Sequence, residues 1–466
     1  MTVIYGLLYA AYFMLLGSGM RVMFNWVSGQ HVLIHKKTEF FAQSFFQGIF
    51  LHVVLFNILQ FFPLAHSWIL ILTGSLVSAC LLVLILAQYH GKMLRFQSIA
   101  PTRLSLSLLV LVTAGTCLIY WNGRLLPNIA WDSWMIWEGK AKQWLAQGLN
   151  VEISQWQEWI GNPQAVFNVS AHYPDGISLL YFLPKLIFTD SNPVVHVLAL
   201  VAYALTTLLM ISRLAKFNTP GYLQLVFVMV MYSIPLINNH LMIFGYADIW
   251  MAMYVLLIML TLMDYQDEGH QGTGLTIIGY LLLLPMLKLE GWVWLGLFVL
   301  AHLLVKAYRS RFRSHLAVVA TVAIIVMMIT DGIHLSTPLG QLIINSQQLV
   351  VFNLLNTPLE FSDIYAALLT GFFWQNNWSF IWLGLPFLLV TFFTQNQNRA
   401  SQVSHVFMLL ALLCFLFLFF FTTASQWARD LTALNRVVLQ LTPCYLFLLF
   451  KMLSQLRGVA DQPDPA

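Results

Sequence analysis

The chain has 466 residues, 59% of them hydrophobic and only 9% charged, with a mean hydropathy of +0.77. An ordinary soluble domain carries roughly a quarter charged residues, so this composition excludes water as the solvent of most of the chain. The net charge of +4 is small and scattered, which excludes nucleic acid as the expected partner and suits lysines and arginines that set topology.

A spanning helix needs about 20 mainly apolar residues to cross roughly 30 Å of hydrocarbon. The N-terminal apolar run lacks a basic lead and a small-residue cleavage site, so it is expected to be a retained span. Four spans are predicted before the first long loop, over 3–24, 40–62, 67–88 and 104–120. Nine more follow, over 193–212, 222–238, 245–263, 273–287, 291–306, 316–333, 377–394, 403–422 and 437–454. The four cysteines, Cys80, Cys117, Cys414 and Cys444, all fall inside apolar runs and suggest neither a disulfide framework nor a zinc site. No repeat and no low-complexity linker divides the chain, and the last residues, DQPDPA, are a polar tail. The expected fold class is all-α, a polytopic transmembrane bundle of about thirteen spans.

Charge gives the orientation. With the N-terminus outside, the cytoplasmic loops receive Arg21, Lys36, Lys37, Lys92, Arg95, Arg103, Arg213, Lys216, Lys306, Arg309, Arg311, Arg313, Arg399, Lys451 and Arg457. That is fifteen of the 22 basic residues, as the positive-inside rule requires. Two outer loops are long, over 121–192 and 334–376, so the room for chemistry lies on the non-cytoplasmic face.

The first long loop opens on WDSWMIWEGKAKQWLAQG, which reads as a short amphipathic helix lying in the membrane interface. Trp134, Trp137, Ala141, Trp144 and Leu145 form one stripe, with Lys140, Lys142 and Gln143 expected opposite. Its tryptophans suit an interfacial aromatic belt or contact with a sugar. Asp132 stands just before the pattern, where a carboxylate would cap the helix. The loop closes on HYPDGISLLYFLPK, whose Pro174, Asp175 and Gly176 form a turn signature, and a stretch from Ile177 to Phe188 is too short to span comfortably.

Ionisable residues then recur at the outer ends of spans: Asp248 in GYADIW, Lys288 and Glu290 in LKLEGW, and Arg429, Asp430 and Arg436 in WARDLTALNR. A charge in hydrocarbon costs on the order of 3 kcal/mol, so each must be paired, snorkelling or functional. Cations bind phosphate and a carboxylate can take a proton, so the gathering of both on one face suits an anionic lipid phosphate and a hydroxyl nucleophile.

In this order, WDSWMIWEGKAK, HYPDG, GYADIW, LKLEGW and NRVVLQLTP make the chain similar to the GT-C superfamily of membrane glycosyltransferases, over about residues 104 to 445. That group holds the protein O-mannosyltransferases, the oligosaccharyltransferase catalytic subunits and the lipid A aminoarabinose transferases. Three of the spans before the first long loop are additional to its simplest plan, so the resemblance divides the chain into added helices at 1–100, a core at 101–454 and a tail at 455–466. The His-containing turn also differs in residue order. The resemblance implies an enzyme of the bacterial inner membrane that moves a sugar, with inversion, from a polyprenyl-phosphate carrier to a hydroxyl of a lipid, glycan or protein on the outer face. Asp132 would be the general base, with Glu138 and Asp248 as its neighbours and alternatives. Lys140, His172, Asp175, Lys288, Glu290 and Arg436 would contact substrate, with Lys288 and Arg436 on the carrier phosphate. No nucleotide loop is expected, and a divalent cation is left open. A lipid-linked-glycan transporter or flippase, and an O-antigen polymerase-like or ligase-like enzyme, are the competing classes.

The charge distribution makes a direct prediction. In intact cells an impermeant thiol reagent should label Gln155→Cys and leave Ser310→Cys unlabelled, and the reverse pattern would invert the orientation.

Overall fold

The computed structural model describes residues 1–27, 33–34, 37–89, 95–96, 102–162, 164–188, 191–268, 271–309, 332–337, 340–351, 355–394 and 399–460. The predicted span at 316–333 falls almost wholly outside the described residues, as do Ser310 and the tail from 461. Among the described residues nine helices are long and apolar enough to cross a membrane, and all nine coincide with predicted spans. The chain is a helical membrane protein. It divides into two compact units, Met1–Gly291 with Leu446–Ala466, and Trp292–Tyr445.

In the first unit, α1 (Thr2–Val27), α2 (Lys37–Leu59), α3 (His66–Tyr89) and α4 (Arg103–Gly123) precede the first long loop. That loop holds α5 (Glu138–Gln147), α6 (Trp156–Gly161) and α7 (Gly176–Ile187). After it come α8 (Asn192–Lys216), α9 (Gly221–Ser233), α10 (Pro235–Met242), α11 (Ala247–Glu268) and α12 (Gln271–Leu287). The predicted span at 222–238 is the bent pair α9 and α10, which turn by 57°. Pro235 stands at the break because it has no N–H to donate and its ring clashes with the preceding turn. The region predicted to span at 273–287 is a shorter apolar helix, Thr273–Leu287.

α1 and α2 cross closely through two glycines. A Cβ on Gly17 would fall 1.7 Å from the Ser44 carbonyl oxygen, and one on Gly48 would fall 1.9 Å from that of Phe13. Without an aqueous hydrophobic effect to join helices in lipid, such small-residue crossings allow the backbone approach that makes dispersion count. At the core runs α11, apolar on every side and buried at each position from Ala247 to Asp264.

Contacts within this unit sort the helix ends into two sets, and the sorting follows the alternation that the loops required. At one end Arg213 of α8 donates to Glu39 of α2 (2.9 Å) and to Asp264 of α11, while Lys216 lies 3.5 Å from Asp264. Arg21 of α1 joins them through Gln43 (2.5 Å). At the other end, α2 runs out at Gln60 beside Asp175, and α11 begins at Asp248 beside Lys288. Arg213, counted above only as a topology marker, is 4% exposed and pairs with the buried Asp264 and the partly buried Glu39.

The second unit contains most of α13 (Glu290–Arg309), the Arg399–Phe421 helix and the start of the Leu434–Ala460 helix. The predicted span at 377–394 is here a 3₁₀ turn, Ile381–Gly384, leading into Leu385–Thr394. The second long loop holds more than was expected of it. Ile333–Thr337, Gly340–Ile344, Gln348–Val351 and Leu355–Pro358 pair in chain order as an antiparallel meander. The turn between the second and third strands is fixed by Asn345, whose Oδ1 accepts the backbone N–H groups of Gln347 and Gln348 at 2.9 and 2.7 Å.

The ion cluster on α8 can be tested on stability. Removing one partner of a buried pair typically costs about 3–5 kcal/mol, whereas removing the whole group costs far less. Arg213→Met should therefore lower the melting temperature in detergent sharply, and the triple change Arg213→Met, Glu39→Gln, Asp264→Asn should recover most of the loss.

Candidate functional site

The first long loop enters the bundle through a π turn, Asp132–Trp137, that runs directly into α5. Trp131 occupies the N-cap position with helical dihedrals and makes no side-chain cap, so Asp132 lies in the first turn and is not the capping residue expected. The wide turn also takes Trp134 off the predicted stripe: it is 40% exposed, while Trp137, Ala141 and Trp144 are buried. Lys140 was expected on the wet face with Lys142. Standing three residues after Trp137 and four before Trp144, it shares their stripe and is buried. α5 packs against protein, with Trp137 edge-on to Tyr173 and Trp144 edge-on to Phe182.

Burying an ammonium requires that all three of its N–H groups be used. Lys140 Nζ donates to the carbonyls of Ala171 (3.0 Å) and Tyr173 (2.5 Å) and to Asp175 Oδ1 (2.8 Å). The same lysine therefore shapes the HYPDG turn and holds its carboxylate. Gln60, just beyond α2, donates to the other oxygen of Asp175 at 3.2 Å. His172, expected to contact substrate, is exposed, its ring tilted against that of Tyr173.

Glu138 forms a second buried knot. Its Oε1 accepts from Lys185 (2.7 Å) and Lys142 (2.9 Å), and its Oε2 from Asn128 (2.7 Å). Burial pushes this carboxyl up, but the hydrogen bonds from Lys185, Lys142 and Asn128 and the charge of Lys185 outweigh it and hold the group below its ordinary range. Glu138 is therefore a fixed carboxylate that fastens α5 to α7.

The third knot joins α11 to the end of α12. Lys288 Nζ lies 2.8 Å from Asp248 Oδ1 and 2.8 Å from Glu290 Oε1. Asp248 is fully buried, and the ion pair is what permits it. Lys288 was expected to hold a phosphate. It is shared between these two carboxylates. Glu290 Oε2 is buried and has no hydrogen-bond partner, leaving an acceptor open beside the trio.

Close backbone approaches bring these knots together. A Cβ on Gly176 would lie 2.4 Å from the Met286 carbonyl, so the HYPDG turn packs on the segment that leads into Lys288. Gly245 adopts φ +102°, a left-handed region that glycine tolerates, and a Cβ there would lie 2.0 Å from Ser133 Oγ and 2.4 Å from the Tyr181 hydroxyl. Ser133 and Tyr181 hydroxyls are themselves 2.9 Å apart. Four of the five sequence motifs, from WDS to LKLEG, thus converge within one unit. Arg436 lies in the other unit, half-buried in the first turn of the Leu434–Ala460 helix. Beside it Asn435 accepts from the Trp378 indole (3.1 Å) and donates to Gln375 (3.1 Å).

Sequence reading missed Gln60, Asn128 and Lys185. Lys185 carried a usable signal, a lone charge after Pro184 in an apolar run, and the other two carried none. Among the described residues no three His, Cys, Asp or Glu side chains gather as metal ligands. In comparisons with protein-family models, curated proteins and solved structures, nothing matches this chain.

The Glu138 knot predicts acid sensitivity with a defined sign. A carboxyl depressed in the folded state contributes stability above its unfolded pKa, and that stability is lost as pH falls through the folded value. Melting temperature should fall on acidification below about pH 4.5, the ordinary value of a Glu carboxyl. Glu138→Gln should start lower at neutral pH and show a shallower acid decline.

Proposed function

We propose that the chain is a membrane glycosyltransferase of the GT-C type, acting on a polyprenyl-phosphate-linked sugar at the non-cytoplasmic face of a bacterial inner membrane. The observation that carries the reading is the convergence of WDS, HYPDG, GYAD and LKLEG, which are separated by up to about 160 residues in the chain, around buried acid–base knots. A bundle that needed charge only for topology would have no reason to gather it there.

In this reading Asp132 takes the proton of the acceptor hydroxyl. The oxygen attacks the anomeric carbon as the bond to the carrier phosphate breaks, and polyprenyl phosphate leaves. One displacement inverts the anomeric centre. Asp132 is partly exposed, while Glu138 and Asp248 are buried, which supports Asp132 over either as the base. The open Oε2 of Glu290 suits a sugar hydroxyl as donor. The broken pair α9 and α10 is the feature that favours a transporter, because broken helices line transport sites. Between Gly221 and Met242, however, the chain has no Asp, Glu, Lys or Arg to recognise an anionic cargo.

The test is transfer of labelled sugar from a polyprenyl-phosphate donor to membrane-extracted acceptors by the full chain in nanodiscs. A general base contributes roughly 10²- to 10⁴-fold, so Asp132→Asn should lose that much turnover and retain its melting temperature. A folded Asp132→Asn protein with wild-type turnover would remove Asp132 from the chemistry. Passage of the intact lipid-linked sugar across vesicles without transfer would favour a flippase.

A further inference from the structure

α5 and α7 do not stand alone: beside the contacts within the first long loop, both accept hydrogen bonds from side chains that precede residue 100. Pro184 interrupts α7 and has no N–H, so the Leu180 carbonyl four residues earlier loses its intrahelical donor. In a bundle surrounded by lipid no water replaces it, and an unsatisfied carbonyl is costly. Tyr9 of α1 supplies the missing donor, its hydroxyl lying 3.1 Å from Leu180 O in a buried contact. One residue back, His52 of α2 reaches Leu179 O at 3.2 Å through Nε2. A carbonyl only accepts, so Nε2 carries the proton, and Nδ1 then accepts from the Tyr12 hydroxyl at 3.1 Å.

The chain that follows α2 reaches the turn and the end of α5. Gln60 donates to Asp175 Oδ2, opposite the oxygen held by Lys140. His66, the first residue of α3, donates to the Trp144 carbonyl at the end of α5 (3.2 Å). Gly17 and Gly48 lock α1 against α2 at backbone contact, so the donors project from one rigid pair.

We infer that α1 and α2 are a mount for α7, and that Tyr9, His52 and Gln60 are positioning residues that hold Asp175, and through it Lys140 and α5, in register. As to its consequence for activity, the inference rests on the transferase reading; as to structure, it stands without it.

The experiment measures amide exchange by mass spectrometry on the full chain in nanodiscs, with transfer measured in parallel. Tyr9→Phe with His52→Phe removes the donors and keeps the rings. Exchange over 176–188 should rise about tenfold, the loss of a net hydrogen bond or two, while exchange over α11 stays unchanged. The single change Tyr9→Phe, milder for folding, should give a smaller rise in the same segment. Gln60→Ala should lower turnover at unchanged donor KM, and Gln60→Asn should restore part of it. Unchanged exchange in 176–188, or a rise spread equally over α11, would overturn the mount. A selective rise in a protein whose wild type transfers no sugar would sustain the mount and sink the transferase reading instead.

Discussion

A charge buried in a bilayer protein must be neutralised by a neighbour, and here that requirement organises the first unit around α11. The helix is apolar enough to be buried on every side, yet it carries Asp248 near one end and Asp264 near the other. Each carboxylate draws a cation from a different element: Lys288 from the segment after α12, Arg213 and Lys216 from α8. Since an ion pair in low dielectric returns its desolvation cost only with good geometry, the positions of those elements follow from the two aspartates.

The first long loop is built on the same rule. Lys140 and Glu138 are adjacent in α5 apart from one glycine, and each is buried by being fully served: the lysine by two carbonyls and Asp175, the glutamate by two lysines and an asparagine. Their neutralisation turns a segment that began as a surface loop into a packed layer against α7. Asp132 is partly exposed, and Glu290 keeps one oxygen open.

Hydropathy made the spans legible because the length that crosses a bilayer is written locally in the sequence, and nine long helices follow it. Motif order likewise pointed to the residues that meet. What could not be read was pairing across distance. Asp248 and Lys288 are forty residues apart with nothing local to mark them as a pair, and Arg213 reads as a loop cation although it is buried and pairs with Glu39 and Asp264. The face of Lys140 was readable and misread, since helical spacing already set it beside Trp137 and Trp144. The meander at 333–358 was also overlooked, its short apolar runs IHLST, GQLII and QLVV being hidden inside a stretch too polar to span.

The pairing of α11 at both ends has a mechanical consequence. Its two carboxylates stand sixteen residues apart, about 24 Å along the axis. Sliding the helix by one turn, about 5.4 Å, would strip both of their cations at once. α11 therefore serves as a strut of fixed length, and any rearrangement of this unit falls to the bend between α9 and α10 at Pro235.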